Sequence, residues 1–354
     1  MLKSLIIFAG AGASRGVSRD KYPMALDFRE RLPDEIKNSH LYGQLLTHHE
    51  LSNPGAIVDI ENILWELGRL DDALKEFTNE GLFASRLLAN NQLRARPSGI
   101  SGQQIQQELI QLKYEVNELQ NKINERVYDF YSQIPKNKEI ERSWMPLLKK
   151  MNSVNFDQID IVTTNYDLVI EEALDSLTDV NIRTGLTDGR YPGVNLEEWH
   201  NPSSGLLTKL HGSVDWKHGN GSTKTKPVIR RGHAEFDGDH NKRLILYPGF
   251  KGTPSSEPFI AFHEYFRLRL QKTTHMLFVG FAFRDDYINE LIRSNLPTNS
   301  KVAVINPASE LPSQNFLAKA KHLQQGFGID KKTTLLESGG LAPFSIDDLE
   351  DWLK

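Results

Sequence analysis

Four short apolar runs restrict the fold of this chain more than any other feature: Leu5–Phe8, Ile159–Val162, Met276–Val279 (with Phe281 beyond) and Val302–Ile305. Each is bounded by Gly, Asn or Pro, as strands covered on both faces tend to be. Leu206–Leu210 and Leu244–Tyr247 are fainter strand patterns, and helical patterns follow at Leu168–Leu177, Phe259–Gln271 and Asp285–Leu296. Strand and helix signals that alternate over 154–306 predict an α/β fold with a Rossmann-like, doubly wound parallel sheet.

The pattern changes between about Pro33 and Lys150, where strand signals vanish and polar helix formers dominate. The expected organisation is a discontinuous α/β domain, 1–32 and 151–354, interrupted by a helical insertion at 33–150. Ile105, Leu109, Leu112, Val116, Leu119, Ile123, Val127 and Phe130 recur at spacings of four and three, the period of a coiled-coil seam. A second amphipathic stretch, Asp59–Leu74, carries Ile60, Ile63, Leu64, Leu67 and Leu70 on one face. Two readings stay open: the helices pack on each other within one chain, or the seam is an oligomerisation or partner surface. Arg94–Gly102 reads as the loop between them, and 213–243 as a long Gly- and charge-rich connection with a short hairpin.

Residues just past the carboxyl ends of strands line the ligand crevice of an open α/β sheet. Here those positions carry Thr164-Asn165-Tyr166-Asp167, His211-Gly212 and Gly10-Ala11-Gly12-Ala13-Ser14. Glycines in a strand-to-helix turn let backbone N–H groups approach a pyrophosphate, although the same turn is also built where nothing binds. Asn165 and Asp167 could equally cap the next helix, and His211 could be a structural histidine. Gly280, Asp285 and Asn306 end two further strands, so several strand ends carry polar or Gly signals, as a long ligand laid across the sheet requires.

Composition removes other classes. The net charge of −4 gives no clustered basic face for nucleic acid. The chain has no Cys, which excludes disulfides and a thiolate zinc site. Its 11 histidines show no His-x-x-x-His spacing, so no metal is expected. Without Gly-x-Ser-x-Gly or Cys, a nucleophilic triad is disfavoured. No apolar run reaches the ~18 residues of a membrane span, and no secretory leader is visible, so a soluble cytoplasmic protein is expected.

In order, Gly10–Ser14, Thr163/Thr164-Asn165-Tyr166-Asp167, His211-Gly212, Gly280–Asp285 and Ile305-Asn306-Pro307 resemble the motif series of the sirtuin superfamily. The resemblance covers residues 1–30 and 155–310 and implies NAD as substrate. It assigns the diphosphate to Gly10, Ala11, Gly12, Ala13 and Ser14, with Thr164 beside them, and the adenosine side to Gly280, Asp285 and Asn306. Asn165, Asp167 and His211 become the catalytic residues. The four zinc cysteines of deacylase sirtuins are missing, and only Asp27-Phe28-Arg29 survives of their signature after the glycine loop. The chain is similar instead to bacterial sirtuin-like anti-phage effectors that hydrolyse NAD. That resemblance implies an NAD⁺ glycohydrolase, a homo-oligomer, and a partner encoded nearby (an ATPase or nucleic-acid sensor). The rival readings are an NAD- or ADP-ribose-binding sensor, an assembly subunit, and a protein deacylase or ADP-ribosyltransferase.

Overall fold

The computed structural model describes residues 3–52, 54–55, 58–79, 102–176, 182–183, 205–218, 229–231, 243–247, 254, 256–306, 333–337 and 350–353. Its strands are β1 (Ser4–Ala9), β2 (Gln158–Thr163), β3 (Ile182–Arg183), β4 (Gly205–Lys209), β5 (Gly212–His218), β6 (Ile229–Arg231), β7 (Arg243–Ile245), β8 (His275–Val279), β9 (Lys301–Asn306) and β10 (Thr333–Glu337). Helices α1 (Ala11–Val17), α2 (Ala25–Glu30), α3 (Asp34–Lys37), α4 (His40–Ser52), α5 (Ile60–Thr78) and α6 (Gly102–Tyr131) come first. They are followed by α7 (Asn137–Arg142), α8 (Trp144–Ser153), α9 (Val169–Asp175), α10 (Phe259–Leu270), α11 (Asp286–Asn295) and α12 (Glu350–Leu353).

Seven strands form one sheet in the order β10-β9-β8-β1-β2-β4-β3, and every neighbouring pair is parallel. Side chains alternate across it, as strand geometry demands. Leu5, Ile7, Leu277, Val279, Ala303 and Ile305 enter one core, with Trp144, Leu147 and Met151 of α8 and Val169 of α9. Ile6, Phe8, Met276, Phe278, Val302 and Val304 enter the other, with Phe262 and Phe266 of α10 and Ile288 and Ile292 of α11. Both faces are covered, which is why these runs are apolar throughout. The sheet is doubly wound and Rossmann-like.

Leu206–Leu210 joins this sheet through β4, whereas Leu244 lies in a separate three-stranded antiparallel sheet, β6-β5-β7. The connection after His211 is therefore strand pairing as well as loop. Asp160 is the one charge inside β2, and its carboxylate is fully satisfied. Oδ1 accepts from Leu206 N at 3.0 Å and Tyr265 Oη at 2.8 Å, and Oδ2 from Arg269 Nε at 2.7 Å. A buried charge lacking such partners would cost several kcal/mol, on the order of 3–5.

The chain divides into two compact units: 1–24, 129–246 and 251–354 form the α/β unit, and 25–128 with 247–250 the helical one. Helices α7 and α8, at 137–153, belong to the α/β unit. In the helical unit, Asp59 caps α5, accepting from Glu61 N at 3.0 Å and Asn62 N at 3.1 Å, while Asn62 Oδ1 accepts from Asp59 N at 3.2 Å. That reciprocal cap fixes where the amphipathic helix begins. Ile60, Ile63, Leu64 and Leu67 are buried, as are Val116, Leu119, Ile123 and Val127 of α6. The C-terminal half of the seam is thus covered within a single chain. Among the described residues no helix is long and apolar enough to cross a membrane.

Candidate active site

The chain leaves β1 for β2 on one side and later returns to β8 on the other, so the topological switch lies between β1 and β8. Ligands of open α/β sheets bind at the carboxyl edge near such a switch. Three glycines close it. Gly10 N donates to Val279 O at 2.9 Å, Gly12 N to Gly280 O at 2.9 Å, and Gly280 N to Ile305 O at 2.8 Å. A Cβ on Gly10 would lie 2.6 Å from Gly280 O, and one on Gly12 would lie 2.9 Å from it. Gly280 has φ +61°, and a side chain there would overlap Ala13 N.

The glycines are therefore explained by backbone crossing backbone. This changes the expected diphosphate cradle, because the N–H groups of Gly10 and Gly12 are committed internally and Ala13 N donates to Gly10 O at 2.9 Å. Ala11 alone in the turn is exposed, and its N–H has no partner among the described residues. Thr164 N donates to Ala9 O at 3.4 Å. Asn306 ends β9 in register with Glu337, and its side chain lies outside the described residues.

Ser14, expected to donate to a diphosphate, instead knits the site. Its Oγ accepts from Asn165 Nδ2 at 2.9 Å and bonds the Asp167 carboxylate. The second amide hydrogen of Asn165 goes to Gly10 O at 2.9 Å, and Asn165 N donates to Thr163 Oγ1 at 3.0 Å. Both amide hydrogens are used, so the side chain cannot flip without losing two bonds. Its Oδ1 has no partner among the described residues and remains an acceptor.

Asp167 does what an Asx residue before a helix does, its Oδ1 accepting from Val169 N at 3.0 Å. Burial pushes its carboxyl above the usual range, against the pull of Lys209 and the bonds from Ser14 and Val169. Its visible work is to hold Ser14 and the entry to α9. Beneath it Lys209, also buried, donates to Asp167 O and pairs with Glu171 at 2.8 Å. Burial likewise pushes Glu171 upward, Lys209 opposes this, and Asp215 reinforces it.

His211 is 4 % exposed, and its Nε2 lies 3.2 Å from Asp285 Oδ2. Asp285 also caps α11, Oδ1 accepting from Ile288 N at 3.0 Å. Burial works against its charge, but the hydrogen bond and charge of His211 and the Ile288 N–H outweigh it, and the carboxyl sits below the usual range. Gly212, at φ +82°, makes the turn into β5 possible, and Leu246 N donates to His211 O at 2.9 Å. His263 backs the turn with Nε2 3.0 Å from Leu210 O. Burial chiefly lowers its pKa to about 4, so it is neutral at physiological pH.

Asn165, Asp167 and Ser14 thus form one network, and His211 and Asp285 a second, both in the α/β unit. The family resemblance assigns Asp285 to the adenosine side; in the structure its carboxylate also faces His211. Lys209, Glu171 and His263 went unread; Lys209 ends an apolar strand, a position where a charge is conspicuous. No group of three or more His, Cys, Asp or Glu side chains suited to a metal occurs among the described residues.

A family described as the SIR2-like domain matches residues 160–324. No curated protein matches the chain. A solved structure described as "Structural Basis for the Mechanism and Regulation of Sir2 Enzymes" is 13% identical, covering 99% of this chain and 92% of that one at a TM-score of 0.39. Another, a Sir2 homologue mutant in complex with 2'-O-acetyl ADP ribose, is 10% identical, covering 93% and 94% at a TM-score of 0.31. The segment similar to that family contains Asn165, Asp167, His211 and Asp285.

Proposed function

We propose that this protein is an NAD⁺ glycohydrolase, converting NAD⁺ and water to nicotinamide, ADP-ribose and a proton. The observation that carries this reading is the locked amide of Asn165. With Nδ2 bound to Gly10 O and Ser14 Oγ, only Oδ1 is available at the carboxyl edge, and it can only accept. An acceptor there orients a water toward the ribose carbon and favours positive charge developing on it. The nicotinamide–ribose bond breaks with its electron pair leaving on nicotinamide, which departs neutral and needs no acid. The water oxygen bonds the ribose carbon, and His211 takes its proton before passing it to solvent. Ala11 is the one residue of the glycine turn left to meet a diphosphate.

The reading extends to an anti-phage effector that depletes NAD, on the strength of the motif order and the absent zinc cysteines. It also includes self-association and a partner encoded nearby. With Val116 to Val127 buried in the chain, self-association would use the first half of α6, where Ile110 and Tyr114 are exposed. Light scattering on Tyr114→Lys beside the parent tests this; a parent that is monomeric at micromolar concentration ends it.

Nicotinamide release on incubation with NAD⁺ tests the main reading. Asn165→Ala and His211→Ala should each lower it ~10²–10⁴-fold, the usual cost of losing a positioned acid–base or water-holding group. Both should remain folded by circular dichroism. Turnover at the parental rate in both variants would overturn the assignment.

A further inference from the structure

We infer that Asp285 is a positioning residue that fixes the imidazole of His211 as its Nε2–H tautomer and makes Nδ1 the proton-accepting atom. The inference rests on the glycohydrolase reading for the identity of the proton donor, and on geometry for everything else. The facing atom of Asp285, Oδ2, lies 3.2 Å from His211 Nε2. An ionised carboxylate has no hydrogen to give, so in neutral His211 the hydrogen between them sits on Nε2. Nδ1 then keeps its lone pair, and it has no partner among the described residues. Which ring nitrogen carries the proton is set by the bond the other one makes.

Asp285 and the loop before it are both held in place. Its Oδ1 is tied to Ile288 N at 3.0 Å. The loop before it is pinned by Asn289 Nδ2, which donates to Phe283 O at 2.9 Å. Phe283, at φ +54°, packs on Phe281 and Phe278 with ring centroids 4.7 and 4.9 Å away. A side chain present only to cap α11 needs one carboxylate oxygen; the second is aimed at the histidine. The depressed carboxyl pKa agrees with an acceptor that stays ionised. Among the described residues, the other aromatic or titratable groups facing His211 are Tyr166, its ring centroid 6.5 Å away, and His263, which is neutral and bonded to Leu210 O. Neither competes for Nε2.

During turnover the Nδ1 lone pair takes a proton from the attacking water, giving an imidazolium whose positive charge lies beside the Asp285 carboxylate. Loss of that proton to solvent restores the neutral ring. Asp285 neither gains nor loses a proton. A carboxylate in this position both selects the tautomer and stabilises the imidazolium, while an amide in its place can hold the wrong tautomer.

The test uses full-length protein labelled with ¹⁵N-histidine, the His211 signals being identified by their loss in His211→Ala. The parent should show the Nε2–H pattern for neutral His211. Asp285→Asn should move His211 toward Nδ1–H and lower kcat for nicotinamide release ~10²-fold or more, with KM changed only a few-fold. Asp285→Ser keeps an oxygen for Ile288 N, so a fall in kcat there is not the loss of the helix cap. An Nδ1–H parent, or an Asp285→Asn variant with parental tautomer and parental kcat, overturns the inference. A parent that releases no nicotinamide overturns the glycohydrolase reading instead, while the ¹⁵N pattern still decides the place of Asp285.

Discussion

The glycine turn and the polar turns at the carboxyl edge of the sheet have similar sequence credentials and opposite construction. The glycine turn at 10–14 commits the N–H groups of Gly10, Gly12 and Ala13 to neighbouring main chain, and its shape leaves no room for a side chain at Gly10 or Gly12. The turns at 165–167 and 211–212 tie their side chains to Gly10, Ser14 and Asp285 and leave single acceptor atoms, Asn165 Oδ1 and His211 Nδ1, without a partner among the described residues. A glycine motif thus reports first on backbone proximity. A polar motif reports on chemistry only once its partners are counted.

The comparison breaks most easily at the glycines. Gly280→Val forces a branched residue into a left-handed backbone against Ala13 N, so it should cost roughly 3 kcal/mol or more and yield little folded protein. Gly12→Val should also be destabilised by its overlap with Gly280, which makes it a probe of packing before it is a probe of phosphate. A Gly280→Val variant with the parental melting temperature would contradict the interlock.

Next in size is the charge beneath the polar turns. Lys209→Met leaves Glu171 buried beside Asp215 and frees the Asp167 carbonyl, and breaking such a pair typically costs about 3–5 kcal/mol. Urea denaturation should show that loss near neutral pH. Much of it should return in Lys209→Met/Glu171→Gln, which removes both charges.

The pH dependence of stability sharpens the comparison further. Folded His263 has a pKa near 4, below the unfolded value of about 6.5. Below the unfolded value the unfolded chain binds the proton first, so stability falls as pH drops from about 6.5 toward 4 and is complete above that window. The loss from this group is ~3 kcal/mol at most. Melting temperatures across that range should fall less steeply in His263→Gln, the remainder coming in part from His275, whose pKa burial also lowers to about 4; an equally steep fall would assign the dependence to other groups.

Ser14→Ala has the smallest expected effect on stability, ~2 kcal/mol, because Asn165 loses one of two amide bonds and the Asp167 carboxylate loses its bond from Ser14. Its effect on turnover should be larger in proportion, since the amide is then free to rotate. Nicotinamide release that tracks only the stability change would remove Ser14 from the positioning of Asn165.

The sheet was legible because each central strand is buried on both faces, and runs such as Leu5–Phe8 then have little freedom but to be apolar. Leu244 misled for the same reason: it is buried as the parallel strands are, yet its partner is β5. Strands β3 and β10 carried no readable signal, β3 being only Ile182–Arg183. In the site, residue types at strand ends located Asn165, Asp167 and His211, because position alone brings them to the edge. Their pairing was not legible. Ser14 lies 151 residues from Asn165, and Asp285 reaches His211 from the start of a different helix. Nothing local in the sequence encodes which carboxylate meets which ring.

The glycine interlock also bears on how such a site can diversify. At Gly10, Gly12 and Gly280, where β1, β8 and β9 meet, peptide groups bond to peptide groups and a Cβ would overlap main chain. Variation at those three positions is all or nothing. Tuning of which molecule the crevice accepts therefore falls to other positions along the carboxyl edge. Mutational libraries aimed at altered selectivity are best built with the three glycines held constant.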